Sequence, residues 1–249
     1  MGVGELISLS DFLQSGARKL LCYPAVSLDE GRRRELLTLG VTGIYNFGPK
    51  QIAQWHCLGL GYCGLVLLVR WHDRLAALKI RRMDAPQESF ELEAKGLAQA
   101  NEVQVGPRIF AFTTNFLVMD YATGQPLSEW LSVKPTRSDA LDIMRHVLAQ
   151  AFRLDQVGMD HGNLRCVTHH VVVSDRKQPM LLDFSSVSFQ RRAANVTTLA
   201  QGLFWGTVIA RQLKALGISP HKDSCIQQLR SYKQKPTSNN FEALLEVVF

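Results

Sequence analysis

The chain has 249 residues, of which 46 % are hydrophobic and 20 % charged, so a sizeable core is expected and wholesale disorder is excluded. Its longest apolar run, 65–69, is too short to span a bilayer, and the first residues lack the features of a signal peptide. Five scattered cysteines match no zinc or redox spacing, so we expect reduced thiols in a cytoplasmic protein. The net charge of +6 suits an acidic partner such as a nucleotide or a protein face, whereas no aromatic-basic motif predicts nucleic acid binding.

The first part of the chain, residues 1–50, is predicted to form short helices and turns as an N-terminal helical extension. Residues 27–30, Ser-Leu-Asp-Glu, have the form of a capping box, so a helix is predicted to follow and to end near Gly40. Three consecutive arginines, 32–34, are predicted to lie on the solvated face of that helix.

The middle of the chain has the pattern of antiparallel strands around one helix, and the remainder is mostly helical. Strands are predicted at 51–58, 64–71, 75–82, 108–113 and 116–121, and a helix that starts at Pro86 is predicted over 86–101. Further on, helices are predicted at 138–156, at 195–216 and in the tail, with a hairpin at 171–183. A strand-rich part followed by a helical part predicts an α+β fold.

Residues 59–66 carry a glycine-rich motif, G-x-G-x-x-G-x-V, formed by Gly59, Gly61, Gly64 and Val66. Glycine is needed where backbone passes close to phosphates or adopts positive φ. The same glycines also mark dinucleotide-binding folds, where they open a helix. Here β-branched and apolar residues follow, which favours a strand-loop-strand and a phosphate-covering loop. An ordinary glycine-rich hairpin is the alternative.

Lys79 lies inside the apolar strand predicted at 75–82, 20 residues after Gly59. A lysine among buried neighbours requires an anion, because an unpaired buried charge is very costly. Nucleotide phosphates and a carboxylate from helix 86–101 would provide it. Glu93 is our choice, because it lies beside Ala94 in the apolar repeat, and Glu91 is the second choice. The alternative is that Lys79 lies on an edge strand and its side chain points to solvent.

Taken together, these motifs make the chain resemble the protein-kinase superfamily. The match is to the small atypical branch that holds the RIO-type kinases and the predicted Ser/Thr kinases of prokaryotes, and it covers about residues 50–205. The segments that carry it are 59–66, Ala77 to Arg82, Glu93-Ala94, Met119-Asp120-Tyr121, Asp160 to Leu164, Leu182-Asp183-Phe184 and Asn195-Val196-Thr197.

This resemblance implies a bilobal fold, with 51–121 as the N-lobe and 122–249 as a reduced, mainly helical C-lobe. It implies ATP as ligand, with Met119 and Tyr121 in the strand that leads to the adenine-binding linker. Asp183, at the end of a strand, would hold Mg²⁺, and Asn163 would occupy the catalytic position.

The chain also departs from the family pattern. Asn163 replaces the carboxylate that accepts the substrate's hydroxyl proton, and an amide cannot act as that base. Thr168 replaces the expected metal-binding Asn, Ser185 replaces the usual glycine after Asp-Phe, and no Ala-Pro-Glu segment follows. Asp160 would substitute for the missing acid only if the loop were shifted. Two functions are therefore predicted: a Ser/Thr phosphotransferase with a degenerate catalytic loop, acting on an unidentified protein, or a pseudokinase that binds nucleotide and acts as a scaffold.

Overall fold

Antiparallel strand pairing dominates the computed structural model, which describes residues 4–25, 27 and 29–249. The chain divides into two compact units, one formed by 1–98 and 107–121 and the other by 99–106 and 122–249. Both units combine helices with antiparallel strands. The predicted α+β class is therefore confirmed.

The first unit contains the larger sheet and the helices that accompany it. Its strands are β1 (Leu6–Ser8), β2 (Val41–Tyr45), β3 (Lys50–Ile52), β4 (Trp55–Cys57), β5 (Gly59–Leu60), β6 (Gly64–Trp71), β7 (Arg74–Arg81), β8 (Ile109–Phe112) and β9 (Phe116–Asp120). Its helices are α1 (Leu9–Gln14), α2 (Glu30–Thr38) and the start of α3 (Glu91–Glu102), with a 3₁₀ helix at Gly16–Cys22.

The sheet has the order β1-β2-β6-β7-β9-β8, and β5 pairs with the first residues of β6. Side chains that face each other across antiparallel strands point to the same side of the sheet. On one side, the apolar residues belong to a buried cluster that includes Leu65, Leu67 and Val69 of β6, Ala76, Leu78 and Ile80 of β7, and Phe116 and Val118 of β9. The opposite side carries Val66, Lys79 and Met119.

The N-terminal residues belong to this unit and cover the apolar side of the sheet. Residues 1–50 were predicted as a helical extension; in the structure they also contribute two strands, β1 and β2, to the sheet. Phe12, Leu21 and Leu36 are fully buried in the same cluster as the strand residues. Without them, the apolar residues of three strands would face solvent, which explains why this segment is part of the unit.

The predicted solvation of the three arginines is wrong for Arg32, which is only 1 % exposed. Its guanidinium donates to the carbonyl oxygens of Leu21 and Arg81, each at 2.6 Å, and to Asn115 Oδ1 at 2.9 Å. Burial lowers the pKa of Arg32, and the neighbouring Arg81 lowers it further. Asp29 begins α2 by accepting from two backbone amides, whereas Leu28 of the predicted capping box lies outside the described residues.

The predicted start of the third helix is also wrong. α3 begins at Glu91 and not at Pro86. The backbone N–H of Phe90 donates to Thr114 O at 3.0 Å, and the N–H of Glu91 donates to Ser89 Oγ at 3.0 Å. These bonds tie the segment before Glu91 to the turn between β8 and β9, so the helix cannot extend further towards the N-terminus.

The second unit is mainly helical and contains one small sheet. Its elements are β10 (Gln125–Pro126), α4 (Leu127–Ser132), α5 (Arg137–Gln156), α6 (Val167–His170), β11 (Val171–Val173), β12 (Pro179–Leu181), α7 (Asn195–Phe204), α8 (Val208–Ala215), α9 (Lys222–Gln234) and α10 (Ser238–Val248), with a 3₁₀ helix at Phe184–Ser186. The predicted hairpin at 171–183 corresponds to β11 and β12, with Val171 opposite Leu181.

The core of this unit forms around α5. One face of the helix buries a stripe of apolar residues: Leu141, Met144, Val147, Leu148, Ala151 and Leu154. This is the spacing that the sequence predicted for 138–156. α7 packs against the same helix, and its apolar residues are also buried. The helical core therefore supports the small sheet that carries the residues of the candidate site.

Candidate functional site

The glycine-rich segment forms a tight hairpin between β5 and β6. Gly59 pairs with Val66, and the N–H of Gly61 donates to Gly64 O at 2.9 Å. The segment thus has the predicted strand-loop-strand form and does not open a helix, as a dinucleotide-binding loop would. A side chain at Gly64 would lie 2.7 Å from Ile80 O, so only glycine fits there without a shift of backbone.

The other two glycines of the motif are not required by the hairpin itself. A Cβ at Gly59 or Gly61 would meet its nearest neighbour at 3.7 and 3.6 Å, which is ordinary contact. Tyr62, at the tip, is 75 % exposed. The backbone around Gly59 and Gly61 is therefore open to an approaching ligand.

Lys79 forms a buried ion pair with Glu93. Its Nζ lies 2.6 Å from Glu93 Oε1, and the two side chains are only 9 % and 7 % exposed. The ammonium group also lies 5.5 Å from the centroid of the Phe90 ring, within the range of a cation–π contact. β7 is an interior strand, so the alternative of an edge lysine in solvent is excluded.

The sequence analysis selected Glu93 and not Glu91 as the partner of Lys79, and in the structure Glu93 makes this contact. Glu91 instead pairs with Lys95 one turn along α3, at 2.7 Å, and both of these side chains are more than 60 % exposed. Spacing within the apolar repeat was thus sufficient to separate an inward from an outward glutamate.

Strand register brings four of the predicted residues of the first unit to one side of the sheet. Val66 and Lys79 are directly opposite each other on β6 and β7, and Met119 on β9 is opposite Ala77. Glu93 reaches the same side from α3 through its contact with Lys79. Tyr121 follows the end of β9 and is half-buried, and burial raises the pKa of its phenol, so the hydroxyl stays protonated at neutral pH.

In the second unit, Asp183 follows β12 with an uncommon backbone conformation. Its φ of 65° and ψ of 78° lie in the left-handed region, which is rare for residues other than glycine, although less so for Asp. Its Oδ1 accepts from the N–H of Ser185 at 3.4 Å, and its side chain is 41 % exposed. Strained residues of this kind cluster at functional sites.

His161 lies in the core of the second unit, behind Asp183. It is fully buried, its ring lies 4.8 Å from that of Phe184, and its Nε2 is 3.1 Å from Leu182 O. Burial lowers the pKa of His161 from 6.5 to about 4, and the neighbouring His170 contributes. The ring is therefore neutral and donates through Nε2 to the carbonyl just before Asp183.

Asn163 and Asp183 are linked through His170, a residue that the sequence analysis did not select. Asn163 Nδ2 lies 3.4 Å from His170 Nε2, and His170 Nδ1 lies 3.9 Å from Asp183 Oδ2. Of the neighbouring positions, Thr168 is half-buried and His169 is exposed. The signal in the sequence was a histidine directly before a predicted strand of the hairpin. To conclude from it that His170 lies beside Asp183, one also needs to know which residues of the two strands are paired.

Asp160, the alternative acid that the sequence analysis considered, has hydrogen-bond partners of its own in this loop. Its Oδ2 accepts from Arg191 Nε at 2.6 Å, and its Oδ1 accepts from the N–H of Gly162 at 3.2 Å. Gly162 itself has a φ of 83°, and a Cβ there would collide with Ser186 O. These contacts hold the loop at Asp160 and Gly162 in the observed conformation.

A buried network behind the loop was also missed by the sequence analysis. Asp155 accepts from Asn195 N, Val196 N and Tyr232 OH at 2.8, 3.1 and 2.8 Å, and Asn195 Oδ1 accepts from the N–H of His161 at 2.9 Å. Burial raises the pKa of Asp155, while these hydrogen bonds oppose the shift. The network fixes the loop at His161 through contacts distant in sequence.

Comparisons with known proteins add no family assignment. No protein-family model matches the chain, and a search of curated proteins finds no match either. Within 4–25, 27 and 29–249, no helix is long and apolar enough to cross a membrane. Over the same ranges, no group of three or more His, Cys, Asp and Glu residues is arranged to hold a metal ion.

Proposed function

We propose that the chain is a protein-kinase-like ATP-binding protein whose two units correspond to the two lobes of that fold. The observation that carries the proposal is the buried pair of Lys79 and Glu93 on the side of the sheet that also holds Val66, next to the glycine hairpin. In kinases, a strand lysine paired with a helix glutamate contacts the phosphates of ATP.

A buried ion pair is a costly way to stabilise a fold. Taking two charges out of water costs several kcal/mol for each ion, and well-packed apolar residues often stabilise a core equally well. Lys79 lies within a strand whose other buried residues are all apolar. An anionic ligand explains why a lysine occupies this buried position, and a nucleoside triphosphate fits the glycine hairpin beside it.

The residues of the second unit support a role for a divalent cation and a weakened catalytic step. Asp183 presents an exposed carboxylate from a strained backbone position, as a ligand for a phosphate-bound cation would. Asn163 can orient a hydroxyl group but cannot remove its proton. Phosphoryl transfer depends mainly on positioning and electrostatics, so a slow Ser/Thr phosphotransferase is the first form of the proposal.

A pseudokinase is the second form, and the contact of Asn163 with His170 favours it. The amide nitrogen of Asn163 points at an imidazole of the same unit, 3.4 Å away, so the side chain already has a partner in the protein. In this form nucleotide is a structural ligand, and the protein acts by binding a partner.

Calorimetric titration with ATP, with and without Mg²⁺, tests both forms. We expect the wild type to bind, and Lys79→Met to weaken binding about 10- to 100-fold, because a hydrogen bond to a charged group contributes about 1.5–3 kcal/mol. Asp183→Ala should remove the dependence of affinity on Mg²⁺. Lys95→Met, which removes a lysine of the exposed pair, is the matched control and should bind like wild type.

Because Lys79→Met removes the ammonium group that contacts the buried carboxylate of Glu93, the double variant Lys79→Met/Glu93→Gln checks that loss of affinity is not loss of fold. It should keep a cooperative thermal transition and still bind ATP weakly. A wild type that does not bind ATP, or a Lys79→Met protein that binds as tightly as wild type, would refute the proposal. Transfer of labelled phosphate by the wild type then separates the kinase from the pseudokinase.

A further inference from the structure

The hairpin of β11 and β12 brings His170 and Asp183 side by side. Val171 is paired with Leu181, and the N–H of Leu182 donates to His170 O at 2.8 Å. His170 and Asp183 therefore leave the hairpin at neighbouring points. Their side chains converge, with His170 Nδ1 3.9 Å from Asp183 Oδ2.

This separation is suited to one bridging metal ion. Metal–nitrogen and metal–carboxylate bonds are each about 2.1 Å long, so two of them reach across about 4 Å with the ion between the ligands. The gap of 3.9 Å can thus be spanned with little movement of either side chain. Asp183 is 41 % exposed, so an ion can reach it from solvent.

The chemistry of this pair does not fit Mg²⁺ well. Mg²⁺ takes oxygen ligands, whereas imidazole nitrogen suits first-row transition metals. The kinase resemblance predicts an Asn, which would bind the metal through oxygen, at the position that Thr168 occupies. The side chain that lies against Asp183 is instead the imidazole of His170, two residues later. Mn²⁺ accepts carboxylate and phosphate oxygens as Mg²⁺ does, and as a transition metal it also binds imidazole.

We infer that His170 and Asp183 form a two-residue site for a nucleotide-bound transition metal, with Mn²⁺ preferred over Mg²⁺. The inference rests on the proposed ATP binding, because phosphate oxygens and water must complete the coordination shell. Two protein ligands plus phosphates are usual for nucleotide-bound cations. The site therefore needs no third His, Cys, Asp or Glu ligand, in accord with the described residues.

The same geometry gives Asn163 a role. When Nδ1 of a histidine binds a metal, Nε2 carries the proton and donates it to an acceptor, which fixes the ring. The Asn163 amide lies 3.4 Å from His170 Nε2 and provides that acceptor once its oxygen turns towards the ring. Asn163 is thus a positioning residue for the metal ligand.

Pulsed electron paramagnetic resonance of Mn²⁺ with ATP tests the inference directly. The wild type should show coupling of Mn²⁺ to a histidine nitrogen, and labelling histidine with ¹⁵N should change the coupling pattern. His170→Phe should lose the coupling. His169→Phe, which alters the exposed neighbour, should keep it.

Affinity for nucleotide provides a second, independent readout. The wild type should bind Mn²⁺–ATP about tenfold or more tightly than Mg²⁺–ATP, and His170→Phe should bring the two affinities together. If His170→Phe fails to fold, ¹⁵N-histidine labelling of the wild type still decides the matter.

The possible failures are distinguishable. If Mn²⁺–ATP binds without a histidine coupling, His170 is not a ligand, and the inference is overturned while the proposed function stands. If the protein binds neither Mn²⁺–ATP nor Mg²⁺–ATP, the proposed function fails, and this inference fails with it.

Discussion

The candidate residues of the first unit and those of the second are held by different kinds of interaction. In the first unit, Lys79 and Glu93 are opposite charges in contact, both buried. In the second, Asp183 is a partly exposed carboxylate 3.9 Å from the imidazole of His170, which in turn contacts the amide of Asn163. The first set contains a buried ion pair, and the second contains a series of polar groups that is exposed to solvent at Asp183.

For the proposed kinase-like function, this difference separates two roles. The first unit has a buried positive charge in a strand, of the kind that contacts phosphates in kinases. In kinases a carboxylate accepts the substrate's proton, whereas the second unit has the amide of Asn163 at the place that the resemblance assigns to that group. We therefore expect substitutions in the first unit to affect folding and binding, and substitutions in the second to affect turnover.

If the proposed function is correct, the largest effect is expected when Asn163 is replaced by an acid. Asn163→Asp should raise transfer of labelled phosphate from ATP about 10²–10⁴-fold, which is the usual contribution of a general base. The measurement is single-turnover transfer to the protein itself or, where no side chain accepts, to water. ATP affinity should change little, which would sharpen the contrast between the two units.

Asp160→Asn is the matched control, since it alters a carboxylate of the same loop that is bonded to Arg191. It should not raise turnover. If Asn163→Asp binds ATP yet transfers phosphate no faster than wild type, the amide is not what limits catalysis, and the functional contrast between the units disappears.

A somewhat smaller effect is expected from breaking the buried ion pair. Glu93→Ala should lower the free energy of unfolding by about 3–5 kcal/mol, because it removes a carboxylate that contacts the buried ammonium group of Lys79. Glu91→Ala removes the exposed glutamate of the same helix and should change stability little. Urea titration followed by circular dichroism measures both.

Lys79→Met/Glu93→Met completes the cycle, because it removes both charges and fills the space with apolar atoms. It should be more stable than Glu93→Ala and close to wild type. Equal losses for Glu93→Ala and Glu91→Ala would show that burial of the first pair has no energetic consequence, and the contrast with the second unit would then be lost.

Local patterns were sufficient to predict the features that depend on neighbours in sequence. The β6 strand was predicted with its observed bounds, 64–71, since a short apolar-rich stretch between glycine and His-Asp defines it. The inward orientation of Glu93 followed from helical spacing. The position of Asp183 after a strand followed from the apolar residues that precede it.

Features that depend on distant contacts were not predictable in this way. Arg32, Arg33 and Arg34 are equivalent by composition, and Arg32 is distinguished by its acceptors, which are the carbonyl groups of Leu21 and Arg81 and Oδ1 of Asn115. These acceptors are up to 83 residues away in the chain.

The candidate site had the same difficulty at His170. This residue acquires its neighbour only through the register of β11 and β12, and a shift of one residue would turn its side chain to the other face. The sequence placed a histidine before a strand but could not fix the pairing.

The smallest effect concerns His161, the buried histidine behind the loop that carries Asn163, and it tests the polar network of the second unit. The pKa of His161 is lowered from 6.5 in the unfolded chain to about 4 in the fold. Between these values the unfolded chain binds a proton and the folded chain does not, so acid favours unfolding. The stabilisation is complete above pH 6.5 and is lost as the pH falls to about 4.

The expected loss is about 3 kcal/mol over that range, measured as the free energy of unfolding in urea at a series of pH values. His161→Phe cannot be protonated, so its stability should fall less than that of wild type between pH 7 and pH 4, and the difference isolates this ring from the carboxylates. A parallel decline in both proteins would contradict the assignment. It would mean that protonation at Nδ1, where none of the described residues provides a hydrogen-bond partner, costs the fold nothing.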